Sequence, residues 1–243
     1  TNQIRHIKKL VVIAKYFFHF NYQRVCPVDF PESVRNITFN ENLEKQTFVY
    51  LYTAKLNKHF LEGTFTEGLE LIKPIETKLG QYHQYIDIHR VLVFYYKIAS
   101  LYFGSGDNEQ AIEYLNKIIN LKVGHLRSDI QCFARLLHLI AHYELDNLQL
   151  VEHLIKSVYR FLSKMESLDA VLTQIFEFLK KSLSSNPHDV KKSFVELRNK
   201  LEIISTSKYN RRSYQYLDIV SWLDSKIENM AVEEVIRRKF MKG

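Results

Sequence analysis

Two histidines in this chain have the spacing of metal ligands on a helix. His138 and His142 are four residues apart, so a helix would place both imidazoles on one face. Zinc proteases use such a pair in the motif HExxH, where the glutamate acts as general base. Residue 139 is Leu here, so this chemistry is absent. We therefore predict no metal site and no cofactor.

The motifs of other common active sites are missing too. The sequence contains no GxSxG nucleophile motif, no phosphate-binding GxxxxGK[ST] loop and no dinucleotide-binding GxGxxG. Gly104-Ser105-Gly106 is the nearest approach to a glycine loop, but it joins two helical patterns and no strand precedes it. We predict that the chain is not an enzyme and has no catalytic residue.

The charge of the chain is uneven. The formal net charge is +7, and the segment 180–212 holds nine basic residues against three acidic ones. Such a segment is either a set of solvated helix faces or a surface for nucleic acid or an acidic partner. No recognised nucleic-acid-binding motif accompanies it. The candidate basic patch consists of Lys180, Lys181, Lys191, Lys192, Arg211 and Arg212.

The segment 89–122 has the clearest pattern of secondary structure in the sequence. Its second half repeats apolar residues with the period of one helical face, and Asp107 precedes that run as a candidate N-cap. Gly104 and Gly106 stand where one helix would end and the next begin. The apolar residues of the two stripes are Val91, Tyr95, Ile98, Ala99 and Tyr102, followed by Ala111, Ile112, Leu115, Ile118 and Ile119.

This helix pair resembles a tetratricopeptide repeat (TPR), a motif of about 34 residues. The resemblance rests on Tyr95, Ile98, Ala99, Tyr102, Gly106-Asp107 and Ala111, whereas Ile118 stands where the family prefers Ala. Weaker TPR-like pairs occur at 49–76 and 129–164, with Leu145 in place of the turn Gly in the latter. In the TPR frame, His138 lies at the small-residue packing position and His142 lies on the inner face of the array.

The resemblance implies an all-α fold, an irregular TPR-like α-solenoid of antiparallel helix pairs. The apolar periodicity along the chain predicts about ten or eleven helices and no strand. We expect one helical-repeat array over 1–243, with an N-terminal helix and Pro-containing connector at 1–40. TPR-like pairs would fill 41–165, and divergent hairpins would fill 166–243, where a charged helix from Val232 to Lys239 would cap the array.

Composition excludes several other classes of protein. Hydrophobic residues make up 46% of the chain and only seven are Gly, which argues against disorder and against an all-β fold. Cys26 and Cys132 form no CxxC pair, which favours a reducing, cytoplasmic location. The apolar run at 10–20 is too short and too polar to span a membrane. The chain begins with Thr1, which suggests a fragment of a longer protein.

The TPR resemblance implies that selected side chains of the first helix in each pair line a concave groove for a partner protein or peptide. The family's carboxylate clamp of Lys and Asn is not matched, because Tyr96 and Ser100 stand at those positions. We therefore expect an apolar or aromatic peptide, and a nucleic acid as the alternative ligand. The predicted groove residues are Tyr96, Ser100, Phe103, Asn57, Phe60, Arg135 and His142.

Overall fold

The computed structural model describes residues 41–121, 124, 126–164, 170–183, 187–205 and 218–242. The N-terminal helix and connector predicted for 1–40, and Arg211 and Arg212 of the basic patch, lie outside these ranges. In the described ranges the chain is helical and contains no strand, which confirms the all-α class. None of the helices found there is both long and apolar enough to cross a membrane.

The described helices follow one another with short connections. A single 3-10 turn at Leu69–Leu71 links α2 to α3. The α-helices are α1 Glu41–Glu62, α2 Phe65–Gly68, α3 Ile72–Gln81, α4 Ile88–Ser105, α5 Asn108–Ile119, α6 Ser128–Glu144, α7 Leu148–Lys164, α8 Ala170–Ser182, α9 Pro187–Ser205, α10 Ile219–Glu228 and α11 Val232–Lys242.

The pair α4–α5 forms as its sequence predicts. Gly106 ends α4 in the left-handed conformation, with φ of 91°, which costs glycine little because it has no Cβ. The carboxylate of Asp107 then accepts a hydrogen bond from the backbone N–H of Gln110 at 3.1 Å, which caps α5. The two helices pack closely along their lengths, and Ile98, Ala99 and Leu115 are fully buried between them and their neighbours.

Helix α4 begins later than the sequence suggests. The periodicity predicts a single helix from just after Gly80 to Phe103, but α3 continues through Gly80 and ends at Gln81. A turn follows, in which the N–H of Ile86 donates to the carbonyl of Tyr82 at 2.9 Å. Asp87 then caps α4 by accepting from the N–H of Arg90 at 3.0 Å. The prediction was wrong because a helical glycine was read as a helix start.

The spacing of Ser128 and Gln131 in the sequence predicts a second capping box, and this prediction is wrong. Arg127, with φ of 48°, precedes the first helical residue and makes no side-chain capping bond. The amide of Gln131 instead donates to the carbonyls of Gly124 at 2.9 Å and Leu126 at 2.7 Å. These bonds hold the segment before α6 in place, and the hydroxyl of Ser128 takes no part in them.

The helices after α7 form an aromatic cluster against the end of α6. The rings of Tyr143, Phe178, Phe194 and Trp222 meet at tilted or edge-on angles, with centroids 4.8–6.4 Å apart. Such contacts add to the stabilisation that comes from burying each ring. The cluster joins α6, α8, α9 and α10 in one continuous hydrophobic core.

Helix α11 turns back toward the start of the described chain. It contacts α10, α1 and α4, and its side chains Val235 and Ile236 are buried. The charged helix that the sequence predicts at this place is present and slightly longer, extending to Lys242. It therefore packs on α1 and α4 as well as on its own neighbour α10.

Candidate functional site

The predicted groove residues lie on the first helices of three successive pairs. Asn57 and Phe60 are on α1, Ser100 is on α4, and Arg135 and His142 are on α6. Within the described part of the chain, α4 contacts both α1 and α6. We use the term α1–α4–α6 face for the surface that these residues were predicted to form.

Two aromatic residues predicted for this face are buried. Tyr96 is 4% exposed and Phe103 is 7% exposed, and both belong to the hydrophobic core. Their side chains therefore leave little surface for a partner to contact. Ser100 is half-buried, and its hydroxyl donates to the carbonyl of Tyr96 at 2.9 Å, a local bond common for serine within helices.

Lys97 provides the most distinctive chemistry on the α1–α4–α6 face. Its Nζ donates a hydrogen bond to Oδ1 of Asn57 and lies 5.0 Å from the ring centroid of Phe60. No carboxylate of the described chain pairs with it, and burial lowers the pKa of Lys97 to about 8. A half-buried cation held only by an amide oxygen and a ring can attract an anionic group from another molecule.

The sequence did not single out Lys97, because the TPR frame assigns its neighbour Tyr96 to the groove. The structure reverses the exposure of the two residues: Tyr96 enters the core and the half-buried Lys97 reaches across to α1. The signal available in the sequence was a lysine within an otherwise apolar helix, since basic residues are seldom placed among buried positions without a partner.

Arg135 is engaged in contacts within the fold. Its guanidinium lies 3.7 Å from the ring centroid of Phe161 on α7 and donates to the carbonyl of Gln131 at 3.0 Å. A further donor approaches the carbonyl of Ile119 at 3.5 Å. Burial lowers the pKa of Arg135. These contacts join α5, α6 and α7, so the side chain already has a structural role.

The histidine pair is a packed contact between two rings. The ring centroids of His138 and His142 are 4.5 Å apart and edge-on, and Nδ1 of His142 lies 3.2 Å from Nδ2 of Asn147. Burial, with smaller effects from His142 and Arg135, lowers the pKa of His138 to about 4. Among the residues that the structure describes, no third His, Cys, Asp or Glu completes a metal site with them.

The basic patch is only partly described. Lys180 and Lys181 end α8, and Lys191 and Lys192 lie in the first turns of α9, with all four side chains exposed. Lys181 pairs with Glu196 at 3.6 Å. Lys180, Lys191 and Lys192 make no ion pair within the described ranges, so these three carry the local positive charge.

Comparison with known proteins identifies one repeat. The protein-family model described as tetratricopeptide repeat matches residues 92–122, which cover most of α4 and all of α5. No curated protein and no solved structure matches the chain. The match coincides with the helix pair whose caps and buried stripe are described above. Together with the all-α fold of the described residues, the match supports a TPR-like helical repeat protein.

Proposed function

We propose that this protein is a non-catalytic interaction module that binds a partner peptide along the α1–α4–α6 face. TPR-like helix pairs bury one side and present the other as an extended surface for a partner. The observation that carries the proposal is the position of Lys97 between Asn57 and Phe60, without a carboxylate from the described chain.

The chemistry of this position favours an acidic group on the partner. An anion beside Lys97 would compensate the desolvation that lowers the pKa of the ammonium. The half-buried ring of Phe60 would then contact an apolar or aromatic side chain next to that acid. We therefore propose a peptide that carries a carboxylate adjacent to an apolar residue, rather than the apolar or aromatic peptide that the sequence predicts.

The test is capture of partners from native lysate by the immobilised chain, with and without nuclease treatment. We expect a protein to be retained under both conditions, and Lys97→Gln to reduce its recovery by about tenfold or more, as for loss of a charged contact in a desolvated position. Lys58→Gln is the matched control, because Lys58 is also basic but its side chain is 59% exposed. Equal recovery with both variants would contradict the role of Lys97.

A second candidate function is binding of nucleic acid by the basic patch. Lys180, Lys191 and Lys192 favour it, because they are exposed and form no ion pair with the described residues. If several phosphates are neutralised, affinity should fall by roughly 10³–10⁵ between 50 and 200 mM salt for six to ten contacts. Replacing these three lysines by Gln should then reduce the steepness of that dependence. Recovery of partners that is insensitive to nuclease and salt would exclude this function.

A further inference from the structure

We propose that Lys97 is a covalent modification site, whose side-chain amine is acylated directly by thioesters of carboxylic acids. The reaction requires the neutral amine, because an ammonium group has no free electron pair with which to attack a carbonyl carbon. Ordinary surface lysines are almost entirely protonated near neutral pH. The surroundings of Nζ favour the neutral form at Lys97, and they distinguish this residue from other lysines of the described chain.

The surroundings of Lys97 offer a hydrogen-bond acceptor but no opposite charge. Nζ donates to the amide oxygen Oδ1 of Asn57, and the ring centroid of Phe60 lies 5.0 Å away. An amide oxygen accepts a hydrogen bond from a neutral amine as well as from an ammonium group, so this contact survives the loss of a proton. No carboxylate of the described chain pairs with Lys97, and burial between the helices lowers its pKa to about 8.

Other lysines of the described chain have the opposite arrangement. Nζ of Lys78 lies 3.3 Å from a carboxylate oxygen of Glu44 and donates to the hydroxyl of Tyr82 at 3.1 Å. Hydrogen bonding to Tyr82 and Glu44 raises the pKa of Lys78. Lys117 also pairs with a carboxylate, that of Glu76, at 3.8 Å. A neighbouring carboxylate stabilises the ammonium form, so these two amines should be poor nucleophiles.

The reaction is an acyl transfer. The amine nitrogen attacks the carbonyl carbon of the thioester, a C–N bond forms, the C–S bond breaks, and the thiol leaves with the proton that the nitrogen loses. The product is an amide that retains one N–H, which can still donate to Asn57. Because the side chain of Lys97 is half-buried and not enclosed, the donor reaches it from solvent. Acylation removes the positive charge, so, if the proposed function holds, it would also prevent binding of the acidic peptide.

The test measures acetylation of individual lysines in the full folded chain by acetyl-coenzyme A. After a short reaction the chain is denatured, the remaining amines are labelled with deuterated acetic anhydride, and mass spectrometry of the digest gives the fraction acetylated at each lysine. At about pH 7.4, roughly 20% of an amine with a pKa of about 8 is neutral, against about 0.1% for a lysine at the reference pKa of about 10.4. Lower basicity and partial burial reduce this advantage.

The expected result is a difference in rate between lysines of the same molecule. Lys97 should react about tenfold faster than Lys73, which is exposed and forms no ion pair within the described ranges. Lys78 should react no faster than Lys73. In concentrated urea, Lys97 and Lys73 should react at similar rates, because the advantage depends on the folded surroundings of Nζ.

Asn57→Asp provides a second test within the folded chain. The substitution places a carboxylate beside Nζ, which stabilises the ammonium form, so the advantage of Lys97 over Lys73 should fall to about twofold or less. Asn199→Asp is the matched control, because it adds the same charge at an exposed position of α9 and should leave the advantage unchanged. Circular dichroism establishes that both variants are folded.

The outcomes separate this proposal from the proposed function. The modification site is overturned if Lys97 reacts no faster than Lys73 in the folded wild type, or if its advantage persists in urea or in Asn57→Asp. Acetylation is measured without a partner, so failure to capture a partner would leave these rates unchanged. Conversely, an unreactive and fully protonated Lys97 would still be able to bind a carboxylate.

Discussion

The indole N–H of Trp222 donates a hydrogen bond to Oε1 of Glu144 at 2.7 Å. Lys226, one turn along α10, places its Nζ 2.8 Å from the other oxygen of the same carboxylate. A single side chain at the end of α6 therefore holds two side chains of α10. This contact attaches α10 to the end of α6.

Substitutions of Glu144 should separate the two interactions. Glu144→Gln keeps an acceptor for the indole but removes the charge opposite Lys226, and we expect a loss of about 1 kcal/mol in the free energy of unfolding. Glu144→Ala leaves both groups of α10 without a partner and should cost about 2–3 kcal/mol. Urea unfolding followed by the fluorescence of Trp222, the single tryptophan of the chain, measures both. Equal losses would contradict this assignment.

Acid should destabilise the protein through His138. Its folded-state pKa is about 4, below the value of about 6.5 for an unfolded histidine. Between these values the unfolded state binds more protons, so the free energy of unfolding should decrease as pH falls from about 6.5 to 4, by up to about 3 kcal/mol. Chemical unfolding of the wild type and His138→Leu across this range tests the prediction. The variant should lose less stability on acidification, and identical profiles would refute the role of His138.

Two helical glycines should respond to alanine in opposite ways. A Cβ at Gly104 would lie 2.7 Å from Cε1 of the buried Phe65 ring, so Gly104→Ala should destabilise the fold by about 1–3 kcal/mol. Gly80 is exposed within α3, and a Cβ there meets nothing within 4 Å. Gly80→Ala should therefore stabilise by about 0.5–1 kcal/mol. Thermal unfolding of both variants gives the comparison, and a shift of the same sign would be inconsistent with the packing.

Lys97 should make stability increase at alkaline pH. Its folded-state pKa of about 8 is below the value of about 10.4 for an unfolded lysine. The unfolded state therefore binds more protons between these values, and the free energy of unfolding should rise with pH through this window. Lys97→Met should remove that component, whereas Lys58→Met, at an exposed position, should retain it. Chemical unfolding of both variants and the wild type at several pH values between 7.5 and 10.5 tests the prediction, and an equal pH dependence in Lys97→Met and Lys58→Met would contradict it.

Some local features of the fold could be predicted from the sequence. Asp107 caps α5 as predicted, because a carboxylate before an apolar helical stripe acts on the neighbouring N–H groups whatever the rest of the chain does. Gly80 misled the prediction, since glycine permits a turn without requiring one. Gly80 instead lies within α3, which ends at Gln81.

The contacts between helices could not be predicted in this way. Lys97 meets Asn57 only because α4 packs on α1 in a particular register, and the register depends on how the whole core is filled. The burial of Tyr96 also depends on the register of α4. Successive side chains of a helix point in directions about 100° apart, so Tyr96 and Lys97 cannot both face the core. The TPR frame, applied to an irregular repeat, therefore assigned Tyr96 to the accessible surface, whereas Lys97 is the more exposed of the two.

The contact between Thr66 and Glu233 also bears on how the chain folds. These residues are 167 positions apart, whereas helical repeats otherwise rely on contacts between adjacent units, which form early because they require little loop closure. Closing such a long loop carries an additional entropic cost. The helix pairs should therefore form first and independently, and the docking of α11 on the α1–α2 turn should be a separate, later step.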